Sequence, residues 1–195
     1  MLDRSTFWAE APVSLSGPGL VVRVLPPVPQ VMVSGDLDGF LARHALPPAG
    51  GLLAPMSGGR YALRLARHRM LVIGIDLPPD AATWVENCAL SSMTGALAVV
   101  EITGPNALAL FARGIAVDPA GNSPSAALSF AGVTLSAHFE ADALRLHLDR
   151  GLVAYLMGWI AATDLITPCP WKGTAPWSLP PTAVPAAVVA IRRPR

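Results

Sequence analysis

Two rhythms of apolar residues run along this chain, one of period two and one near 3.6. "GLVVRVL" (Gly19 to Leu25) and "QVMVS" (Gln30 to Ser34) read as strands separated by Pro26, Pro27 and Pro29. Asp36 then caps a short helix whose apolar side is Leu37, Phe40 and Leu41, and Pro47 and Pro48 stop it. "RYALRLAR" alternates Tyr61, Leu63 and Leu65 with smaller or charged neighbours, as a half-buried strand does. A charged turn, Arg67 to Arg69, leads into "MLVIGI", a continuous apolar run that predicts a strand covered on both faces. Asp80 offers an N-cap to a second helix carrying Trp84, Val85 and Cys88.

The second half repeats this order. "ALAVVEIT" is a strand, Gly104 makes a turn, and Pro105 suits the first position of a helix. Leu108, Phe111 and Ala112 form one side of that helix, and Gly114 can end it in a left-handed conformation. "VTLSAHF" sets Val133, Leu135, Ala137 and Phe139 against Thr134, Ser136 and His138; "ALRLHLD" sets Leu144, Leu146 and Leu148 against Arg145, His147 and Asp149. The link between them, Glu140 to Asp142, is hairpin-sized. A closing helix runs from about Leu152 to Thr163.

The order strand–helix–strand–strand–helix thus occurs twice, over residues 20–89 and 90–164. Ser34-Gly35 against Thr103-Gly104 and "FLAR" against "LFAR" are local echoes of it. The pattern predicts one α+β domain, residues 1–164, of two similar units whose sheets meet and whose helices lie outside. Residues 165–195 differ. They are dense in proline, which excludes a helix interior or a central strand, and they predict an extended arm carrying Trp171 and Trp177.

Composition adds a reason to expect company. Of 195 residues, 52% are hydrophobic and only 14% charged, against roughly 25% charged in an average domain. The closing helix carries Leu152, Val153, Tyr155, Leu156, Met157, Trp159 and Ile160 in every direction around its axis, a pattern that calls for burial all round. Three such side chains left wet would forgo about 5–9 kcal/mol. Either the arm or a partner covers them, and Tyr155, Met157, Trp159, Trp171 and Trp177 are the candidate interface residues. The net charge of +1 gives no electrostatic footprint for nucleic acid. The longest apolar run, "LVAYLMGWIAA", falls far short of the roughly 20 residues of a membrane-spanning helix. "MLDRSTFWAEAP" has no apolar h-region and carries Asp3 and Glu10, so a cytoplasmic chain is expected, with Cys88 and Cys169 reduced.

Candidate chemistry is sparse. His44, His68, His138 and His147 are in no metal-ligand spacing. With the hairpin turn at 140–142, His138 pairs near Leu144 and His147 near Thr134, so the two are read as solvated residues of one polar face that are not opposite one another. "MSGGRY" lacks the Lys-Ser/Thr of a phosphate loop, and "SSMTG" (Ser91 to Gly95) reads as a turn. Glu101, between Val100 and Ile102, is expected on an edge or solvent face; a buried face there would make a general-acid role conceivable. No catalytic, cofactor-binding or metal residue is assigned.

"NCALSSMTGALAVVEITGPNALALFARGIAVDP", followed by the hairpin and "RGLVAYLMGWIAATD", resembles the gamma subunits of heterotetrameric sarcosine oxidases, whose fold is that of the folate-binding T-protein of the glycine cleavage system. The matching features are Ser91 to Gly95, Gly104-Pro105-Asn106-Ala107, Gly114 with Asp118, and Trp159. The resemblance implies a non-catalytic subunit in an N-methyl amine-oxidising complex, with FAD, FMN, NAD and tetrahydrofolate held by alpha- and beta-type partners and with a delta-type subunit beside them. The alternative is a stand-alone folate-binding or aminomethyltransferase-like protein. The Lys-Gly-Cys-Tyr motif of a related iron–sulfur repair branch is absent from the sequence.

Overall fold

The computed structural model describes residues 14–77, 82–119, 121 and 123–166. Over these residues the elements in chain order are β1 (Ser14–Gly17), β2 (Leu20–Val24), β3 (Gln30–Gly35), α1 (Leu37–Arg43), β4 (Pro55–Met56), β5 (Tyr61–Ala66), β6 (Arg69–Ile73), β7 (Ala82–Val85), β8 (Cys88–Ser92), β9 (Leu97–Thr103), α2 (Ala107–Gly114), β10 (Ala127–Phe130), β11 (Val133–Glu140), β12 (Ala143–Asp149) and α3 (Val153–Ala161). They build two sheets. One has the order β5-β6-β3-β8-β7; the other runs β1-β2-β9-β12-β11-β10, with β4 pairing in parallel with the end of β11. The chain is mixed α+β, as expected. The sheets do not divide it into consecutive halves, however, because β1 and β2 join the sheet of β9 to β12, with β2 pairing with β9.

Alternation along the strands sorts side chains to two sides of each sheet. In the five-stranded sheet, Val31, Val33, Ala62, Met70, Val72, Cys88 and Leu90 pack with Leu37, Phe40 and Leu41 of α1. The Asp36 carboxylate accepts from the Gly39 amide at 3.1 Å and caps α1, as its sequence predicts. In the larger sheet, Val100, Ile102, Leu135, Ala137, Leu144, Leu146 and Leu148 pack with Leu110 and Phe111 of α2 and Leu156, Met157 and Ile160 of α3. A third, smaller cluster, built around Met56, Tyr61, Leu63, Leu71 and Ile73, takes the opposite side chains of β5 and β6. β6 is therefore covered on both faces, as its unbroken apolar run requires.

Several elements differ from expectation. Residues 82–92 form the β7–β8 hairpin instead of a helix. Glu86 and Asn87 both have positive φ, 48° and 65°, the two-residue turn that matches the twist of paired strands. Thr83, Trp84 and Val85 suit a strand, and Cys88 and Leu90 alternate inward. Asp80, the expected cap, lies outside the described residues.

Helix α2 begins after Asn106, so Pro105 lies in the preceding turn, where Gly104 takes φ +105°. The buried side of α2 is Ala107, Leu110 and Phe111, and Leu108 is 47% exposed. Gly114 is not left-handed. It is small because any Cβ there would enter the ring of Phe130. α3 is buried on one side only, through Leu156, Met157 and Ile160. Its exposed positions are mostly Ala154, Gly158 and Ala161, with Leu152 and Tyr155 the large ones. Too little large apolar surface faces outward for burial all round to be required.

Candidate functional site

The side of the larger sheet turned away from α2 and α3 carries a cross-strand row of polar residues. Register fixes it: Arg23 of β2 lies opposite Glu101 of β9, Glu101 opposite Arg145 of β12, and Arg145 opposite His138 of β11. One step along, His147 lies between Val99 and Ser136. Glu101 is only 3% exposed, and each of its oxygens serves one guanidinium. Arg23 Nε donates to Oε1 at 2.8 Å; Arg145 Nε and Nη2 donate to Oε2 at 3.1 and 3.0 Å. Arg145 Nη1 also pairs with the Glu140 carboxylate. Two cations and two anions balance, so the buried charges are compensated. The solvent face expected for Glu101 is a buried one, and both carboxylate oxygens are engaged by arginines.

The row reaches across to the other sheet. Tyr61 of β5 donates its hydroxyl to Glu140 Oε2 at 2.6 Å and stands 2.9 Å from His138 Nε2. Since the phenol proton goes to Glu140, His138 carries its own proton on Nε2 and donates it to the Tyr61 oxygen. His147 Nδ1 donates to Gln30 Oε1 at 2.6 Å, and the Gln30 amide group donates to the Leu97 carbonyl at 3.2 Å. Gln30 opens β3 and is buried.

His138 and His147 are therefore not solvated. Both are buried, and their rings lie 5.1 Å apart, tilted by 30°. The β11–β12 turn has two residues, with Glu140 opposite Ala143. That moves every pair by one from the register expected for a three-residue link. Burial, with Arg145 nearby, brings the His138 pKa down to about 3. Burial, then His138 and Arg145, holds His147 well below the usual range. Burial and the Glu140 carboxylate push the Tyr61 hydroxyl upward. Burial works to lower the Arg145 pKa, but Glu101 and Glu140 outweigh it and hold it high.

The remaining candidate residues are scattered. His44 stacks on Phe40 with ring centroids 4.2 Å apart, and His68 is exposed at the β5–β6 turn. Of the expected interface residues, Tyr155 is exposed, its hydroxyl donating to the Ala131 carbonyl at 2.9 Å. Met157 is buried in the core of its own domain and is not available to a partner. Trp159 is half-buried, edge-on to Phe130 at 5.2 Å. Trp171 and Trp177 lie outside the described residues. The sequence reading missed Trp84, 70% exposed on the edge strand β7 beside exposed Val85. No group of three or more metal-ligating side chains occurs among the described residues, and no helix among them is long and apolar enough to cross a membrane. Cys88 is a buried thiol that donates to the Asp36 carbonyl.

No protein-family model matches the chain, and no curated protein matches it significantly in sequence. In three dimensions it is similar to a chain of heterotetrameric sarcosine oxidase from Corynebacterium sp. U-96, solved in complex with pyrrole 2-carboxylate. The two are 16% identical with a TM-score of 0.58, over 75% of this chain and 85% of the other. The likeness is one of fold. Coverage of that extent on both sides means the two chains are of much the same length.

Proposed function

We propose that this chain is a gamma-type, non-catalytic subunit of a flavin-dependent, sarcosine oxidase-like complex that oxidises an N-methyl amine and passes the one-carbon unit to folate. The observation that carries the reading is the shared fold with a similarly sized chain of a heterotetrameric sarcosine oxidase. In this reading the two-sheet arrangement is that of the T-protein-like folate-binding fold, used here as an assembly module. FAD, FMN, NAD and tetrahydrofolate belong to the alpha- and beta-type subunits, with a delta-type subunit completing the complex.

Two features of the chain support a structural role. Its polar cluster is self-compensated: Glu101 and Glu140 are held by arginines and Tyr61, and His138 and His147 give their N–H groups to the opposite sheet. These groups hold two sheets together. Its surface also exposes Trp84, Val85, Leu108, Leu152 and Tyr155, side chains suited to the core of a protein interface. Co-expression with the genes flanking its own tests the reading. A yellow complex that contains this chain and oxidises an N-methyl amine is expected. A soluble monomer that binds tetrahydrofolate tightly on its own would instead establish the stand-alone folate-binding reading.

A further inference from the structure

The contact between the two sheets includes two imidazoles, beside the small apolar cluster and the Tyr61–Glu140 hydrogen bond, and each imidazole has one proton to give and nowhere to place a second. His138 commits Nε2–H to Tyr61, and His147 commits Nδ1–H to Gln30. The other ring nitrogens, His138 Nδ1 and His147 Nε2, are buried with no hydrogen-bond partner. They tolerate that state only as bare acceptors. A proton added to either makes a buried donor without an acceptor and a buried charge at once, and both are costly.

The surroundings offer no relief. The groups facing the pair are Glu140 and Ser136 on β11, Arg145 on β12, Glu101 on β9, Arg23 on β2, Tyr61 on β5 and Gln30 on β3. The two carboxylates are already engaged by arginines and by the Tyr61 hydroxyl. Arg145, the charged residue beside His138 in the row, is a cation. Double protonation would take a balanced cluster to an excess of two positive charges.

We propose that the His138–His147 pair is an acid-sensitive latch: neutral, it fastens one sheet to the other, and on protonation it releases that contact while each sheet keeps its own strand pairing. The sheets can part in this way because each has its own helix-backed core. The clusters under α1 and under α2 and α3 are both larger than the one between the sheets. The depressed His138 value, about 3 against 6.5 in the unfolded chain, sets the direction. The contact is fully made above pH 6.5 and weakens as pH falls towards 3. Where the open form binds two protons more than the closed one, the opening constant grows about a hundredfold per pH unit.

Imidazole nitrogen NMR on the full chain gives the first test. At pH 7 it should report Nε2–H on His138 and Nδ1–H on His147. Acidification from pH 6.5 to 4 should then expose dye-binding apolar surface while far-ultraviolet dichroism persists. The double variant His138→Gln/His147→Asn keeps an N–H donor near each required position and cannot titrate; its transition should fall by at least one pH unit. Three results would overturn the proposal: rings that titrate near 6.5 without opening, simultaneous loss of sheet signal and packing, or an unchanged transition in the double variant. If that variant does not fold, the wild-type spectra and the order of the two losses decide.

Discussion

Replacing Glu101 by glutamine should cost far more than replacing either arginine's exposed neighbours would suggest. The side chain is nearly inaccessible, and its two oxygens hold Arg145, 23% exposed, and Arg23, 58% exposed. The two pairs are unequal. The Arg23 half is wet and screened, and such pairs contribute about 0–1 kcal/mol. The Arg145 half lies between sheets, and removing one partner of a buried pair costs about 3–5 kcal/mol. Because Arg145 keeps Glu140, the low end applies. Glu101→Gln should therefore lose about 3 kcal/mol, and Arg23→Gln less than about 1 kcal/mol. Urea unfolding reads both, with an unchanged slope indicating that the two end states are the same. Removing both charges together, Glu101→Leu with Arg145→Met, should recover part of the loss: no stranded buried cation remains, but Glu140 keeps only the Tyr61 hydroxyl. A cost below about 1 kcal/mol for Glu101→Gln, or equal costs for it and Arg23→Gln, would refute the claim that the Glu101–Arg145 pair is held in a buried setting.

Other consequences follow from particular packing. Gly114→Ala drives a methyl into the Phe130 ring and should cost about 1–3 kcal/mol by urea unfolding, as overpacking does. Met157→Ala should cost about 2–5 kcal/mol because the side chain is core, whereas Tyr155→Phe removes one exposed hydrogen bond and should cost about 1 kcal/mol or less; thermal melts of the two rank them. Trp84→Thr, at an exposed edge-strand position, should change the stability of the isolated chain by less than about 0.5 kcal/mol. In the proposed complex the same substitution should weaken co-purification with the flavoprotein subunits.

Much of the fold can be read from the residues. Asp36 before Leu37, Phe40 and Leu41 is a helix start with its physics in view, and the alternation of Val133 to Phe139 and Leu144 to Leu148 places one face of each strand correctly. Alternation tells which side chains share a face; it does not tell what covers that face. Polarity alone puts His138, His147 and Glu101 in water, but a second sheet lies over them. Which residues lie opposite the two histidines, Arg145 and Ser136, turns on a single residue of loop length at Ala141-Asp142. Earlier, Trp84, Val85 and Cys88 fit a helical spacing, while the deciding signal, two residues at positive φ in Glu86-Asn87, is weak in sequence because only Asn favours it. On α2, apolar residues surround the helix, so the sequence leaves its phase open between Leu108 and Leu110, and it is Leu110 that is buried. The shared polar cluster itself, Tyr61 and Gln30 with residues over seventy positions away, follows from tertiary pairing alone.

The most direct test of the account is native mass measurement of this chain isolated from its own host through an affinity tag. The account predicts an assembly that carries bound flavin, in which this polypeptide is one of several different subunits. A flavin-free particle of 20.3 kDa, unchanged across the concentration range, would contradict it.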